Sequence, residues 1–197
     1  TRLAHAIYKD FLQRSMISFE RKSDWSRFVG LCARSAEGRR AFEAYLTQRR
    51  IARGGKAKFR KTWELIRQHH NDRIIIFTAE NETAYHLGEE FLMPVITHRT
   101  KAAERKEMLD RFRSGEYPVL ITSRVLNEGV DVPEAGVGIV VSGSGSVREH
   151  VQRLGRILRA GEGKKAVLYE LISLGTSEVN ASRRRREHRA YQRSWRK

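Results

Sequence analysis

Five short apolar runs, separated by stretches with helical periodicity, constrain the fold of this chain more than any other feature. They cover residues 74–77, 94–96, 119–121, 137–141 and 166–172. The first run, Ile74-Ile75-Ile76-Phe77, contains no polar position, which is typical of a parallel strand buried on both faces. Amphipathic helices are predicted between the runs, for example from Lys101 to Phe112. This alternation predicts an α/β fold, a doubly wound parallel sheet sandwiched by helices.

Residues 1–55 carry no strand signal. Apolar residues there recur at helical spacing, as in Leu3, Ile7 and Phe11, until Gly54-Gly55 ends the pattern. The stretch predicts a small helical hairpin that is distinct from the rest of the chain and rich in Lys and Arg. It could be only a solvated helical appendage or an arm that grips DNA, and composition leaves these two interpretations even.

The charge balance points to the class of partner. The chain has 39 Lys+Arg against 23 Asp+Glu, a net charge of +16, which favours nucleic acid or an anionic membrane. No apolar run of about 18 residues is present, so no membrane-spanning helix is predicted. Cys32 is the only cysteine and the seven histidines lack metal-ligand spacing, so we predict no metal site and a reducing compartment. Because the first residue is Thr1 rather than Met, we expect a fragment.

Small hydroxyl residues come directly after the predicted strands. They are Thr78, Thr97, Thr122, Ser142 and Ser173. Ligands of open parallel sheets bind outside the carboxyl ends of the strands, where such hydroxyls can donate to phosphate oxygens. The alternative is that small polar residues only begin loops and cap the next helix. We expect a functional role first at Thr78 and Thr122.

A predicted helix over residues 151–159 has one apolar and one polar face. The apolar stripe consists of Val151, Leu154 and Leu158, and the polar stripe of Gln152, Arg156 and Arg159. Ser146 with Glu149 forms a capping-box pattern at its start. The arginines could belong to an ordinary solvated face. Guanidinium groups also offer a planar fork of donors that suits phosphate, so an anion-binding helix is the functional interpretation.

The run from Thr122 to Pro133 comes after the third predicted strand. Gly129 permits backbone conformations that other residues resist, and Asp131 can accept a hydrogen bond from a ribose hydroxyl. Taken alone, Gly-x-Asp-x-Pro is a weak pattern that a turn would also explain. Its position after a buried strand and about twenty residues before the arginine helix makes it informative.

Two further segments lie at predicted strand ends. His98-Arg99-Thr100 comes after the second strand, and we favour Thr100 as the N-cap of the next helix over a nucleic-acid contact. The Gly-Ser loop at residues 142–146 lacks the Lys-Ser/Thr ending of a P-loop. We therefore favour a flexible turn with a helix N-cap over contact with a ligand in a cleft.

Together these motifs resemble a known family. Gln-Arg-x-Gly-Arg-x-x-Arg at residues 152–159 resembles motif VI of superfamily 2 helicases, and residues 122–133 and 74–78 resemble motifs V and IV. The longer run over residues 96–172, with residues 175–180, is similar to the C-terminal half of the xeroderma pigmentosum group B (XPB) family of DNA-repair helicases, in its short archaeal form. The resemblance covers most of the chain and is best from residue 56 onward.

The resemblance implies a domain organisation and residue roles. A thumb-like DNA-gripping subdomain at 1–55 would precede a second RecA-like helicase domain at 56–175 and a basic tail at 176–197. Arg156 and Arg159 would be arginine fingers on the ATP γ-phosphate, while Gln152, Gly129 and Asp131 would contact the nucleotide. Nucleic acid would be contacted by five residues, which are Thr78, Arg99, Thr100, Thr122 and Arg153.

Partners and location also derive only from the resemblance. It implies that DNA, the N-terminal RecA-like domain of the same protein, and a repair nuclease or a transcription/repair complex are partners, with no membrane. The protein would be cytoplasmic in an archaeon and nuclear in a eukaryote. ATP and Mg²⁺ would be the cofactors, both held mainly by the preceding RecA-like domain.

Two motifs that ATP hydrolysis needs are missing from the sequence. No Gly-x-x-x-x-Gly-Lys-Ser/Thr and no Asp-Glu-x-His occurs in the 197 residues. We therefore predict the second motor domain of an ATP-dependent DNA helicase, inactive as this fragment alone. The alternatives are a duplex-DNA translocase of another superfamily 2 branch and a non-enzymatic basic nucleic-acid-binding module.

Overall fold

The chain folds as two compact units. The computed structural model describes residues 2–19, 21, 23–123, 135–142 and 166–186. The first unit is Thr1–Ala52 and the second is Arg53–Lys197. No helix in the described part of the chain is long and apolar enough to cross a membrane.

Three helices build the first unit, where the sequence predicts a hairpin of two. They are α1 (Arg2–Arg14), α2 (Ser23–Arg34) and α3 (Ala36–Gly54). The break between α2 and α3 is only Ser35, whose Oγ accepts the backbone N–H of Gly38 at 2.9 Å. A one-residue interruption leaves helical periodicity almost unchanged, so the sequence pattern does not reveal it. Phe28, which is fully buried, is the centre of the core of this unit.

Gly38 allows α3 to begin close to the end of α2. A Cβ at this position would lie 2.7 Å from the Cα of Cys32 and 2.7 Å from the carbonyl oxygen of Leu31. We expect Gly38→Ala to lower the free energy of unfolding by about 1–3 kcal/mol, because backbone atoms cannot move aside as a side chain can. Urea unfolding of the intact chain would measure the change.

Gly30, on α2, provides the matched control, because nothing lies within 4 Å of a Cβ built there. Gly30→Ala should keep the stability of the chain or raise it by roughly 0.5–1 kcal/mol, since alanine is the better helix former. Equal stabilities for the two variants would contradict the close approach of α2 and α3.

The second unit alternates helices and strands, as the sequence predicts. Its elements are α4 (Lys56–Gln68), β1 (Ile74–Phe77), α5 (Asn81–Phe91), β2 (Val95–Ile96), α6 (Ala102–Ser114), β3 (Val119–Thr122), β4 (Val137–Val140), β5 (Val167–Glu170) and α7 (Ser177–Arg186). The strands form one parallel sheet in the order β2-β3-β1-β4-β5. The prediction of a parallel α/β sheet is confirmed.

Helices cover both faces of the sheet. Successive side chains of a strand point to opposite faces, so Ile74 and Ile76 pack with α4 and α5, and Ile75 and Phe77 pack with α6. β1, β3 and β4 are buried at every position, which explains why their sequences are apolar apart from Thr122 at the end of β3. The apolar content of these strands therefore places them at the centre of the sheet.

The basic run at the end of the chain begins as a helix. α7 carries Glu178 in its first turn and ends at Arg186. The Oγ of Ser182 donates to the Glu170 carboxylate at 2.8 Å, which attaches the helix to the end of β5. Part of the segment predicted as a basic tail, Ser177–Arg186, is therefore helical, and the predicted boundary at residue 176 stays a prediction.

Candidate functional site at the carboxyl edge of the sheet

The parallel strands place the predicted hydroxyl residues along one edge of the sheet. Thr78, Thr97 and Thr122 have no exposed surface, and Ser142 is 1% exposed. Ser173 is half-buried. Four hydroxyl residues of this edge are therefore packed into the protein, so their partners decide what they can do.

Hydroxyl side chains form hydrogen bonds with backbone groups at the ends of β1, β3 and β4, and the bond of Ser142 joins the end of β4 to that of β1. The Thr78 hydroxyl donates to the carbonyl of Glu80 at 2.9 Å, and the Thr122 hydroxyl donates to the carbonyl of Ser123 at 2.9 Å. The Ser142 hydroxyl accepts the N–H of Ala79 at 2.9 Å. These side chains hold the backbone of the edge in place, and a nucleic-acid contact by Thr78 or Thr122 stays a prediction.

A tight turn comes after β2. The Thr97 hydroxyl contacts the Tyr85 hydroxyl at 2.8 Å and accepts the N–H of Arg99 at 3.1 Å. The Thr100 hydroxyl accepts the N–H of Thr97 at 2.9 Å. Helix α6 begins at Ala102 with Lys101 as its N-cap, so the interpretation of Thr100 as the N-cap is wrong. Thr100 closes the turn instead, and the side chain of Arg99 is exposed.

Ser123 is a feature of the edge that the sequence did not predict. It comes directly after Thr122 and is 3% exposed, and its buried Oγ has no hydrogen-bond partner among the described residues. Leaving a buried hydroxyl unpaired costs about 1–3 kcal/mol, so a group that donates to or accepts from Ser123 would stabilise the edge. Its position beside Thr122 was the only signal available in the sequence.

Lys58 is the second feature that the sequence did not reveal. Its side chain is 6% exposed, and its Nζ donates to the carbonyl of Val141 at 2.6 Å and to the Glu178 carboxylate at 2.7 Å. The same carboxylate accepts the N–H of Ser173 at 2.9 Å. Burial lowers the pKa of the Lys58 ammonium, and the Glu178 carboxylate opposes that shift. The pair joins α4, the end of β4 and α7.

The remaining predicted residues lie outside the described part of the chain. They are Gly129, Asp131, Gln152, Arg153, Arg156 and Arg159. The capping pair Ser146 and Glu149, and the Gly-Ser loop after Ser142, lie there too. Among the residues that are described, no group of three or more His, Cys, Asp or Glu side chains could hold a metal ion.

A sequence model of the ERCC3/RAD25/XPB C-terminal helicase family matches residues 42–193. The chain belongs to this family. It is 42% identical over 179 residues to the DNA 3'-5' translocase XPB2 of Sulfurisphaera tokodaii, covering 91% of this chain and 40% of that protein. It is 35% identical over 130 residues to the DNA 3'-5' helicase XPB of Mycobacterium tuberculosis, covering 65% of this chain and 24% of that protein. The resemblance to the XPB family is confirmed.

Solved structures show the same fold. The C-terminal domain of the DEAD-box protein Dbp5 matches with a TM-score of 0.60 and 23% identity, covering 69% of this chain and 80% of that domain. The helicase domain of Pyrococcus furiosus Hef matches with a TM-score of 0.52 and 23% identity, covering 93% of this chain and 37% of that chain. These likenesses establish the RecA-like helicase fold that the XPB resemblance implied.

Proposed function

We propose that this chain is the second motor domain of an ATP-dependent DNA helicase or translocase that acts in nucleotide-excision repair. The observation that carries the proposal is the XPB-family match over residues 42–193, which includes the predicted motifs V and VI. The chain spans 40% of the length of the archaeal relative and 24% of the mycobacterial one. The motor activity is therefore assigned to a longer protein of which this chain forms one lobe.

In this proposal the nucleotide lies between the carboxyl edge and a preceding RecA-like domain. ATP supplies the phosphoanhydride bond whose hydrolysis drives the motor. Arg156 and Arg159 would neutralise charge at its γ-phosphate, and Gln152, Gly129 and Asp131 would position its base and ribose. As the XPB resemblance implies, we assign ATP and Mg²⁺ mainly to the preceding RecA-like domain.

DNA would be held by both units. The exposed Arg99, in the turn after β2, would bind a backbone phosphate, together with Thr100, Thr122, Thr78 and Arg153. The three-helix unit would grip the duplex as a thumb, which its basic composition supports. Hydrogen bonds of Thr78, Ser142 and Thr122 to backbone groups help to position this edge, which supports the proposal.

Partner proteins and location belong to the same proposal. The Drosophila melanogaster relative is called a helicase/translocase subunit of general transcription and DNA repair factor IIH. We propose that the longer protein works in a transcription/repair complex or with a repair nuclease, in the cytoplasm of an archaeon or in a eukaryotic nucleus.

The fragment by itself should not hydrolyse ATP. We expect phosphate release by the purified 197-residue chain, with DNA present, to stay at the level of a protein-free control, because the sequence lacks a phosphate-binding Gly-Lys-Ser/Thr loop. The full-length protein, assayed in parallel, should hydrolyse ATP. Hydrolysis by the fragment that an Arg159→Ala substitution removes would contradict the proposed division between two domains.

A non-enzymatic DNA-binding module is the second candidate, because the net charge of +16 supports DNA binding with or without ATP turnover. Both candidates predict sequence-independent binding that weakens with salt. The motor predicts that replacing one arginine, Arg159, greatly reduces ATP turnover. The binding module predicts no ATP turnover and a DNA affinity to which many arginines contribute. The full-length protein is therefore needed to separate them.

A further inference from the structure

Helices α4 and α5 leave an open groove on the second unit, and none of the predicted nucleotide or DNA residues lines it. The groove has a volume of about 1100 Å³. Its floor is aromatic, with the ring of Phe91 5.2 Å from that of Trp63 and 6.4 Å from that of Phe59. Trp63 is 42% exposed although it stacks on Phe91. The floor is therefore an apolar surface that the described residues leave open to solvent.

Leu92, the C-cap residue of α5, combines a left-handed backbone with an exposed apolar side chain. Its backbone is left-handed, with φ 54° and ψ 45°, and its side chain is 92% exposed. Helix α6 ends in the same conformation with Gly115, which adopts it without strain. Leu92 therefore costs stability twice, through backbone strain and through an apolar side chain in water. A bound partner would explain the exposed apolar side chain.

The two walls of the groove carry opposite charges. Lys56 and Arg60 lie on the α4 wall, and Glu89 and Glu90 lie on the α5 wall. Among the described residues, Lys56, Glu89 and Glu90 have no ion-pair partner, and Arg60 has only Glu64 at 3.9 Å. The groove therefore complements a ligand with an apolar ridge and two charged flanks. Its acidic flank would face the basic α4 wall, and its basic flank would face the acidic α5 wall.

That combination favours a helix over other occupants. The groove is formed by two helices, whose backbone groups are already paired, so an added β-strand would find no ladder to extend. Glu89 and Glu90 would repel a phosphate backbone. A helix with apolar residues at i, i+3, i+4 and i+7 presents a ridge of the required kind between two polar flanks.

We propose that this groove binds an amphipathic helix of a partner protein. Its apolar ridge covers Trp63 and Leu92, its basic flank faces Glu89 and Glu90, and its acidic flank faces Lys56 and Arg60. The groove includes none of the named ATP and DNA contacts, although Gly54, which lines it, belongs to the predicted DNA-gripping segment 1–55. It would hold a partner while the motor works.

Three synthetic helical peptides test the proposal on the 197-residue chain. All three have the same leucine ridge and differ only in their flanks. The mixed-flank peptide carries Lys on one flank and Glu on the other, the second peptide carries Lys on both flanks, and the third carries Glu on both. Fluorescence anisotropy should show saturable binding that is tightest for the mixed-flank peptide. Leu92→Gly should weaken that binding at least tenfold and raise the melting temperature by about 2–4 °C through relief of strain.

Reversal of one wall adds a test of charge. In the Glu89→Lys/Glu90→Lys variant both walls are basic, so the mixed-flank peptide should bind at least tenfold more weakly and the peptide with Glu on both flanks should bind most tightly. The absence of saturable binding, equal affinity for the three peptides, or no effect of Leu92→Gly would overturn the proposal. Light scattering that shows self-association lost in Leu92→Gly would assign the groove to a second copy instead, which also overturns it.

Discussion

Glu178→Gln should lower the free energy of unfolding by about 3 kcal/mol, because it leaves the buried Lys58 ammonium without its counter-charge. The pair is 2.7 Å apart, with side chains 6% and 16% exposed. The variant keeps the size of the residue, and Lys58 keeps its bond to the carbonyl of Val141, so the loss reports the charge of Glu178 and the hydrogen bond that the amide NH2 group cannot accept. Urea unfolding of the 197-residue chain would measure it.

The pH dependence of this variant provides a second readout. Burial lowers the pKa of Lys58 in the folded chain below its ordinary value of 10.5, which the unfolded chain keeps. At a pH between the folded and the unfolded pKa, the unfolded chain therefore binds more protons than the folded chain. Stability therefore rises with pH in that window. Without Glu178 the pKa of Lys58 in the folded chain falls further. The difference in free energy of unfolding between the unchanged chain and the variant should therefore shrink as the pH is raised toward 10.5.

An exposed ion pair on the same helix is the matched control. Lys61 lies 3.0 Å from Glu64, with side chains 55% and 51% exposed. Lys61→Met should leave unfolding unchanged within error, since solvent screens such a pair. If Glu178→Gln were as mild as Lys61→Met, the ion pair would not hold α7 in place.

In the full-length protein, Arg159→Ala should reduce ATP turnover by about 10³–10⁵-fold, the effect of an arginine that stabilises charge on the transferring phosphoryl group. DNA binding at low salt should be nearly unchanged, because many other basic residues supply counterion release. Steady-state phosphate release and a DNA titration, made on the same preparation, would measure the two effects. Arg159→Lys should not restore turnover fully, because an ammonium cannot present the planar fork.

Arg67→Ala is the corresponding control, since Arg67 is an exposed residue of α4 outside the predicted motifs. It should leave both ATP turnover and DNA affinity close to those of the unchanged protein. If Arg159→Ala lowered DNA affinity and kept ATP turnover, the non-enzymatic binding module would be the better description.

The strands were predictable because burial on both faces leaves no polar position. Ile74–Phe77 was predicted with the observed bounds. The predicted bounds of the two outermost strands, β2 and β5, were less accurate. Their lengths are limited by hydrogen-bond pairing with one neighbour and not by hydrophobicity. β2 begins at Val95 and not at Pro94, which has no N–H to donate. Among the described strands, β5 pairs only with β4, and its ladder ends at Glu170, before the apolar run ends.

The interactions of the candidate site were harder to predict than its position. The row of hydroxyl residues identified the carboxyl edge, but spacing could not show that Thr78 and Thr122 donate to the chain's own carbonyls. Lys58 looks like any exposed helical lysine, and its partner is 120 positions away in the sequence. Long-range pairing of this kind leaves no local pattern, so only the folded structure reveals it.

The Lys58–Glu178 pair sets the shortest version of the second unit that can be expected to fold alone. A version that begins after residue 58 would lack Lys58 and leave the Glu178 carboxylate without its ion-pair partner. A version that ends before residue 178 would leave the buried Lys58 ammonium without the Glu178 carboxylate. Both ends of such a truncated protein must therefore extend well beyond the five strands of the sheet.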